Sequence, residues 1–159
     1  MGTAENALRM ANTYTWVHLH YVFSTKNRLP ALSKEIRERL WPYMGGIARE
    51  NHMVAKAVGG AEDHAHLLLS LPTTLTISKG IQIIKGGSSK WLHETFPNLH
   101  DFAWQEGYGA FGVCISNIPD TIAYIAGQEE HHRRKSFQEE YLAFLNKHEI
   151  KYDERYLWD

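Results

Sequence analysis

The sequence predicts an α+β fold, an antiparallel sheet with helices packed on it. Three observations carry that expectation. Period-two alternation rich in strand formers, led by "WVHLHYVFST" (Trp16 to Thr25), marks strands. Apolar residues spaced three and four apart mark helices between them. The resulting order is strand–helix–strand, then strand–helix–strand, then two further helices. That is the split arrangement of ferredoxin-like (RRM-like) domains, whose antiparallel sheet carries helices on one face.

The elements follow in order. After the first strand, "KNRLPALS" is a turn-rich connection, and Ser33 is the expected N-cap of a helix with Ile36, Leu40, Tyr43, Met44 and Ile47 on one stripe. Pro42 lies inside that stripe and is expected to kink or interrupt the helix. "HMVAKAVGGA" reads as a second strand and "HAHLLLSLP" as a third, whose unbroken apolar run suggests a central place in the sheet. A second helix is expected from Leu75 to Phe96, weakened by Gly86 and Gly87. "FAWQEGYGAFGVCIS" reads as two strands around a turn at Glu106 and Gly107. A third helix covers "NIPDTIAYIAGQEEHHRR" with Asn117 as N-cap, and "SFQE" is a capping box opening a last helix to about Asn146.

The chain of 159 residues, 43% hydrophobic and 12% aromatic, suits one compact domain with a sizeable core, assigned to residues 14–159 with a C-terminal helical tail. Residues 1–13 read as a disordered or loosely attached leader without an apolar signal core, so export is not expected. The single cysteine, Cys114, precludes an internal disulfide and fits a reducing, cytoplasmic setting. No apolar run approaches the ~18 residues of a membrane span. A formal net charge of −1 does not announce a nucleic-acid partner. Basic residues do cluster locally, at Lys26 and Arg28, at Lys79, Lys85 and Lys90, and in "HHRRK" (His131 to Lys135).

Two motifs carry chemistry. In "GGAEDHAHLLLSLP", His64 and His66 flank Ala65 on a strand, so both imidazoles point to the same face, roughly 7 Å apart. That placement suits two ligands of one metal ion, with Glu62 and Asp63 as possible oxygen donors. It equally suits a hydrogen-bonded pair at a strand end, and His18 and His20 repeat the spacing. In "YIAGQ", Tyr124 and Gln128 are four apart on a helix face. Tyrosine is a usable nucleophile only with help, its reference pKa being about 10. An ordinary amphipathic helix would present the same two residues.

Taken together, the motifs resemble a known family. A His–hydrophobic–His pair on a sheet strand followed by Tyr-x-x-x-Gln on a C-terminal helix is similar to the single-tyrosine HUH transposases of the insertion sequence 200/605 type, including those associated with repeated palindromes. "HLHYVFSTKNRLP", "AEDHAHLLLSLP", "IKGGSSKWLHETFP", "WQEGYGAF" and "YIAGQEEHHRRKSFQEEY" resemble that family in order and spacing from about Tyr14 onward.

The resemblance implies a metal-dependent enzyme that cleaves and rejoins single-stranded DNA. His64, His66 and Gln128 would hold a divalent ion, Mg²⁺ or Mn²⁺, and Tyr124 would be the nucleophile of a 5′-phosphotyrosine intermediate. Two imidazoles and an amide favour Mn²⁺, because Mg²⁺ prefers oxygen. The partners implied are DNA with hairpin ends and a second copy of the chain, with the protein acting at the nucleoid of a prokaryote. Lys26, Arg28, Lys79, Lys85, Lys90, Arg133 and Arg134 are candidate DNA contacts, and Trp91 a candidate stacking surface or core residue. Adjacent His131 and His132 point about 100° apart on a helix and are expected at a solvated helix end, not as ligands. Small residues in "GYGAFGV" would let the tyrosine helix move. Three other readings share the sequence: a domesticated nuclease acting on palindromes, a non-catalytic nucleic-acid-binding module, and a metal-dependent hydrolase of small phosphoesters.

Overall fold

The computed structural model describes residues 12–158, so the expected leader falls almost wholly outside the described residues. Strand β1 (His18–Ser24) is followed by α1 (Lys34–Glu50), β2 (Val54–Ala61), β3 (His64–Ser70), α2 (Ile77–Thr95) and β4 (Gly109–Gly112). Three helices complete the chain: α3 (Ile118–Ala126), α4 (Gln128–Arg134) and α5 (Phe137–Lys147). All strand pairs are antiparallel, in the order β2-β3-β1-β4. This is the ferredoxin-like order, with β1 and β3 in the centre. Among the described residues no helix is long and apolar enough to cross a membrane.

Period two divides the central strands between two layers. Leu19, Tyr21 and Phe23 of β1 and Ala65, Leu67 and Leu69 of β3 join Leu40, Met44, Ile81, Ile84 and Leu92 of α1 and α2 in the main core. The alternate residues face the other way, where Val22 and Phe111 pack with Phe137, Tyr141 and Leu145 of α5. Helices therefore cover both faces of the sheet, not one as expected. The reason is visible in β1 and β3, which bury nearly every residue on either face and so require a second apolar layer.

Four local expectations are corrected. Pro42 sits within an uninterrupted α1. Its cost of about 3 kcal/mol is offset by burial of Ile36, Leu40 and Met44 on the same helix, at about 1.5–3 kcal/mol each. Gly86 and Gly87 do not break α2, because Gly87 is where α1 comes close: a Cβ there would lie 3.0 Å from Ile47 Cδ1. The third helix divides at Gly127 into α3 and α4, and the Asn117 side chain makes no cap bond. Small residues before it pack closely, since a Cβ at Gly109 would lie 2.8 Å from Tyr141 Cε2.

The expected hairpin around Glu106 is one short strand, β4, preceded by a single bridge between Thr25 and Trp104. Carbonyls of a strand alternate in direction. Here those of Gln105, Glu106 and Gly107 all accept from the Lys85 ammonium, at 3.3 Å for Glu106 and 2.9 Å for Gly107. Lys85 also lies 5.3 Å from the Phe23 ring centroid. Burial lowers its pKa to about 8. Removing the ammonium leaves three carbonyls without their donor. Lys85→Met is expected to lower stability by about 2 kcal/mol, read from the urea midpoint, whereas Lys79→Met at an exposed position should stay within about 0.5 kcal/mol.

Candidate active site

The β1–β3 ladder sets Val22 opposite His66 and Ser24 opposite His64. Both histidines therefore face the layer of α3–α5, and both are fully buried. His20, the diagonal neighbour of His66, comes within reach of it, with His20 Nε2 and His66 Nδ1 2.8 Å apart. His64 Nδ1 lies 2.7 Å from Asp63 Oδ1, and His64 Nε2 lies 3.0 Å from Gln128 Oε1. The break at Gly127 aims Gln128 inward, where it is 1% exposed. Its amide nitrogen also donates back to the Tyr124 carbonyl at 3.3 Å.

Tyr124 stands over the same cluster. Its ring centroid is 5.7 Å from that of His66, edge to face, and 6.1 Å from that of His20. Its hydroxyl lies 3.4 Å from His131 Nε2. The structure thus brings Tyr124, His64, His66 and Gln128 together within one chain.

Sequence reasoning missed Glu140 on α5, which is 2% exposed. Its Oε1 is 2.7 Å from His66 Nε2 and its Oε2 is 3.4 Å from His131 Nε2. Despite that proximity, His66 Nε2 and both Glu140 oxygens lack any properly directed hydrogen bond. A carboxylate on the apolar stripe of a helix, between Phe137 and Tyr141 on one side and Phe144 on the other, was the available signal. His131 and His132 also join this cluster and are not a solvated helix end: His132 Nε2 reaches Glu62 Oε1 at 3.2 Å.

The electrostatics separate these groups. Burial opposes charge on His64, but its bonds to Asp63 and Gln128 and the nearby Glu140 outweigh it, and the pKa rises. Burial, joined by the charges of His64 and His131, drives His66 down and keeps it neutral. His20 is pushed to about 3 by burial and then by His66 and His148. Burial would raise Glu140, yet His66, His64 and Tyr124 together bring it to about 2. Burial, and next the Glu140 charge, push the Tyr124 hydroxyl above its ordinary value, so the resting group is protonated. A groove of about 490 Å³ opens beside Tyr124, His131 and Glu140, with Phe144, Lys135 and Lys147 also lining it.

The basic residues singled out from sequence do not converge there. Lys26 and Arg28 occupy the turn after β1, where the Arg28 guanidinium carbon lies 5.5 Å from the Trp158 ring. Lys79, Lys85 and Lys90 belong to α2, on the opposite face of the sheet. Arg133 and Arg134 both pair with Glu130, at 3.0 and 3.5 Å. Trp91 stacks on Tyr43 at 4.5 Å. Lys135, from the HHRRK cluster, and Lys147 line the groove beside Tyr124, although neither was among the candidate DNA contacts.

Comparison with known proteins gives concordant results. A family model described as transposase IS200-like matches residues 13–128. The ISDra2 transposase TnpA of Deinococcus radiodurans is 25% identical over 101 residues, covering 64% of this chain and 72% of the relative. The transposase for insertion sequence element IS200 of Salmonella typhimurium is 27% identical over 123 residues, covering 72% and 80%. Among solved structures, a protein of Deinococcus radiodurans R1 assigned as a transposase superposes with a TM-score of 0.60 at 22% identity, covering 75% of this chain and 95% of its own. A REP-associated tyrosine transposase bound to a REP hairpin superposes with a TM-score of 0.56 at 16% identity, covering 77% and 74%. At those identities the two structures speak for the fold alone.

The docking of α3 that places Tyr124 depends on a missing side chain. A Cβ at Gly59, the partner of His66 in β2, would lie 2.9 Å from Ile125 Cγ2 and closer still to the Ile125 carbonyl oxygen. Gly59→Ala is expected to force α3 off the sheet at a cost of about 1–3 kcal/mol. Gly86→Ala, with nothing within 4 Å of its Cβ, should instead stabilise α2 by about 0.5–1 kcal/mol. Thermal melts of the two variants should therefore shift in opposite directions.

Proposed function

The chain belongs to the IS200-like transposase family, and from that premise we propose that it cleaves and rejoins single-stranded DNA through a covalent bond to Tyr124. The observation that carries this reading is the convergence of one tyrosine on two strand-borne imidazoles and a glutamine, at the mouth of a groove lined by Phe144, Lys135 and Lys147. An aromatic ring for base stacking beside ammonium groups for phosphate suits an unpaired strand.

The donor set fits a divalent cation. His64 Nε2 and Gln128 Oε1 face each other, and His66 Nε2 is buried without a hydrogen-bond partner, which is costly unless something else satisfies it. His64, His66 and Gln128 would hold Mg²⁺ or Mn²⁺, which when bound would polarise the scissile phosphate and offset charge developing on it. Asp63 and His20 fix the two imidazole rings by engaging their Nδ1 atoms. His131 Nε2, 3.4 Å from the hydroxyl, is placed to take the Tyr124 proton, with the Glu140 carboxylate beside it to support the imidazolium.

The bonds exchanged balance without an external energy source. Tyr124 oxygen attacks the phosphorus, a tyrosyl phosphodiester forms at the 5′ side, and the P–O3′ bond breaks. The proton given up by Tyr124 is returned to the departing 3′ oxygen. A 3′-hydroxyl of a second strand then attacks the tyrosyl ester, restoring a DNA phosphodiester and freeing the tyrosine. Hairpins at the ends of a DNA element are the proposed substrates, as the REP-associated relative is bound to a REP hairpin. The open outer edges of β2 and β4 are the proposed pairing surfaces of a homodimer. The setting is DNA in the cytoplasm of a prokaryotic cell.

The test is a covalent trap. Protein is incubated with Mn²⁺ or Mg²⁺ and labelled single-stranded DNA carrying the palindromes that flank the gene, then denatured and resolved. Wild type is expected to retain label, and Tyr124→Phe and His64→Ala to lose it by about three orders of magnitude or more. Retention by Tyr124→Phe would refute tyrosine chemistry. Cleavage without an adduct would instead favour water as nucleophile.

A further inference from the structure

Two donor-rich clusters lie among the described residues, Asp63–His64–His132 and His64–His66–Glu140. In the first, Asp63 meets His64 Nδ1 and His132 Nε2 reaches Glu62, so that only His132 Nδ1 is left without a partner. In the second, His66 Nε2 and both Glu140 oxygens are left without one. Resting on the metal reading above, we propose that Glu140 is a fourth protein ligand of the ion, so that α5 supplies a carboxylate to the site built by β3 and Gln128.

The first argument is burial without a partner. Glu140 is 2% exposed, among Phe137, Tyr141 and Leu145 of α5, and neither of its oxygens receives a well-directed hydrogen bond, although His66 Nε2 lies 2.7 Å from Oε1. A buried carboxyl group with no donor directed at either oxygen is costly to the fold unless something else satisfies it. The unpartnered nitrogen it faces, His66 Nε2, is the atom a metal would use. Both orphaned groups are accounted for once one cation is bound by the two as adjacent ligands.

The second argument is distance. Donors about 2.1 Å from one ion in octahedral geometry lie about 3.0 Å apart when adjacent and about 4.2 Å when opposite. His64 Nε2 and Gln128 Oε1 are 3.0 Å apart and His66 Nε2 and Glu140 Oε1 are 2.7 Å apart, both near the adjacent spacing, and donors of His64, His66 and Glu140 form one group within 4.8 Å, a little wider than a bound set. The Nδ1 contacts to Asp63 and His20 turn both Nε2 atoms toward the shared space.

The third argument is chemical. Two imidazoles and an amide are an uncharged set poorly suited to a hard ion, and a carboxylate adds the anionic oxygen that Mg²⁺ and Mn²⁺ prefer. Four protein ligands would leave two of six positions for phosphate oxygens or water. The family match ends at residue 128, so this ligand comes from a part of the chain beyond the matched segment.

The test is Mn²⁺ binding without DNA, followed by the loss of the free-ion signal in electron paramagnetic resonance. Wild type should take up one ion, and His64→Ala and His66→Ala should abolish uptake. Glu140→Gln, equal in shape, should weaken binding at least tenfold, and Glu140→Asp should recover part of that loss. Unchanged affinity in Glu140→Gln, with the histidine variants inactive, would overturn the role of Glu140 and leave the histidine site standing. Tighter binding would overturn it too, since the carboxylate would then occupy the place of the ion. Wild-type binding in the histidine variants, or none in wild type at millimolar Mn²⁺, would sink the metal reading and this inference together. Anomalous diffraction from Mn²⁺-loaded wild-type crystals gives an answer independent of variant folding. A manganese peak in contact with Glu140 and both Nε2 atoms is expected, and a peak away from Glu140 would overturn the assignment.

Discussion

The antiparallel pairing of β1 with β3 is the constraint on which the site depends. Its register sets Leu19, Tyr21 and Phe23 with Leu69, Leu67 and Ala65 on one face. The same register sets His20, Val22, His64 and His66 on the other. A one-residue slip would send the histidines into the aliphatic layer and the leucines among the polar groups. Burying the large side chains of that layer is worth about 1.5–3 kcal/mol each. The core therefore fixes the histidines far more firmly than any bond the histidines make. Pairing of β1 with β4 on its other edge holds the strand from both sides.

Rings placed on the second face by that register have to be accommodated there. The structure does this by dividing the charge. Contacts of both His64 nitrogens with oxygens raise its pKa, while burial lowers those of His66 and His20, whose facing nitrogens lie 2.8 Å apart. Glu140 remains ionised because it faces the histidines. One consequence reaches Tyr124, whose hydroxyl is held protonated by burial and by that carboxylate. The hydroxyl therefore rests protonated, and removing its proton requires a change in the charge around it.

Much of the scaffold was legible. The order of elements, the central place of β3, the caps at Ser33 and Ser136 and the His–Ala–His pair on one face all follow from period and local chemistry. What was not legible depended on contacts between distant segments. Lys85 is indistinguishable in sequence from the exposed Lys79, and only the folded chain brings Gln105 to Gly107 around its ammonium. The split at Gly127 and the continuity of α1 through Pro42 were settled by packing that overrode local preference. Tyr124, His64, His66 and Gln128, which the fold brings together, were singled out because their spacing repeats a pattern. Glu140 was not, because nothing local separates it from the neighbouring Glu139, which serves the helix cap. Its place on the apolar stripe of α5 was the only trace it left.

The same contacts fix which histidines Tyr124 stands over. Tyr124 and Gln128 are separated by three residues, and Gln128 is bonded to His64 of its own chain. Between them Ile125 sits against Gly59, a position with no room for even a methyl group. Freeing the tyrosine for a partner's histidines would mean lifting Ile125 out of that seat. It would also break the His64–Gln128 bond and uncover His66, at once. Glu140 adds a fourth tie, because α5 closes over the same imidazoles and packs on Val22 and Phe111. A segment held at four points by its own sheet is a poor candidate for exchange. The small residues that look like a hinge in the sequence are, at Gly109, filled by Tyr141. The architecture therefore ties Tyr124 to the histidines and the glutamine of its own chain.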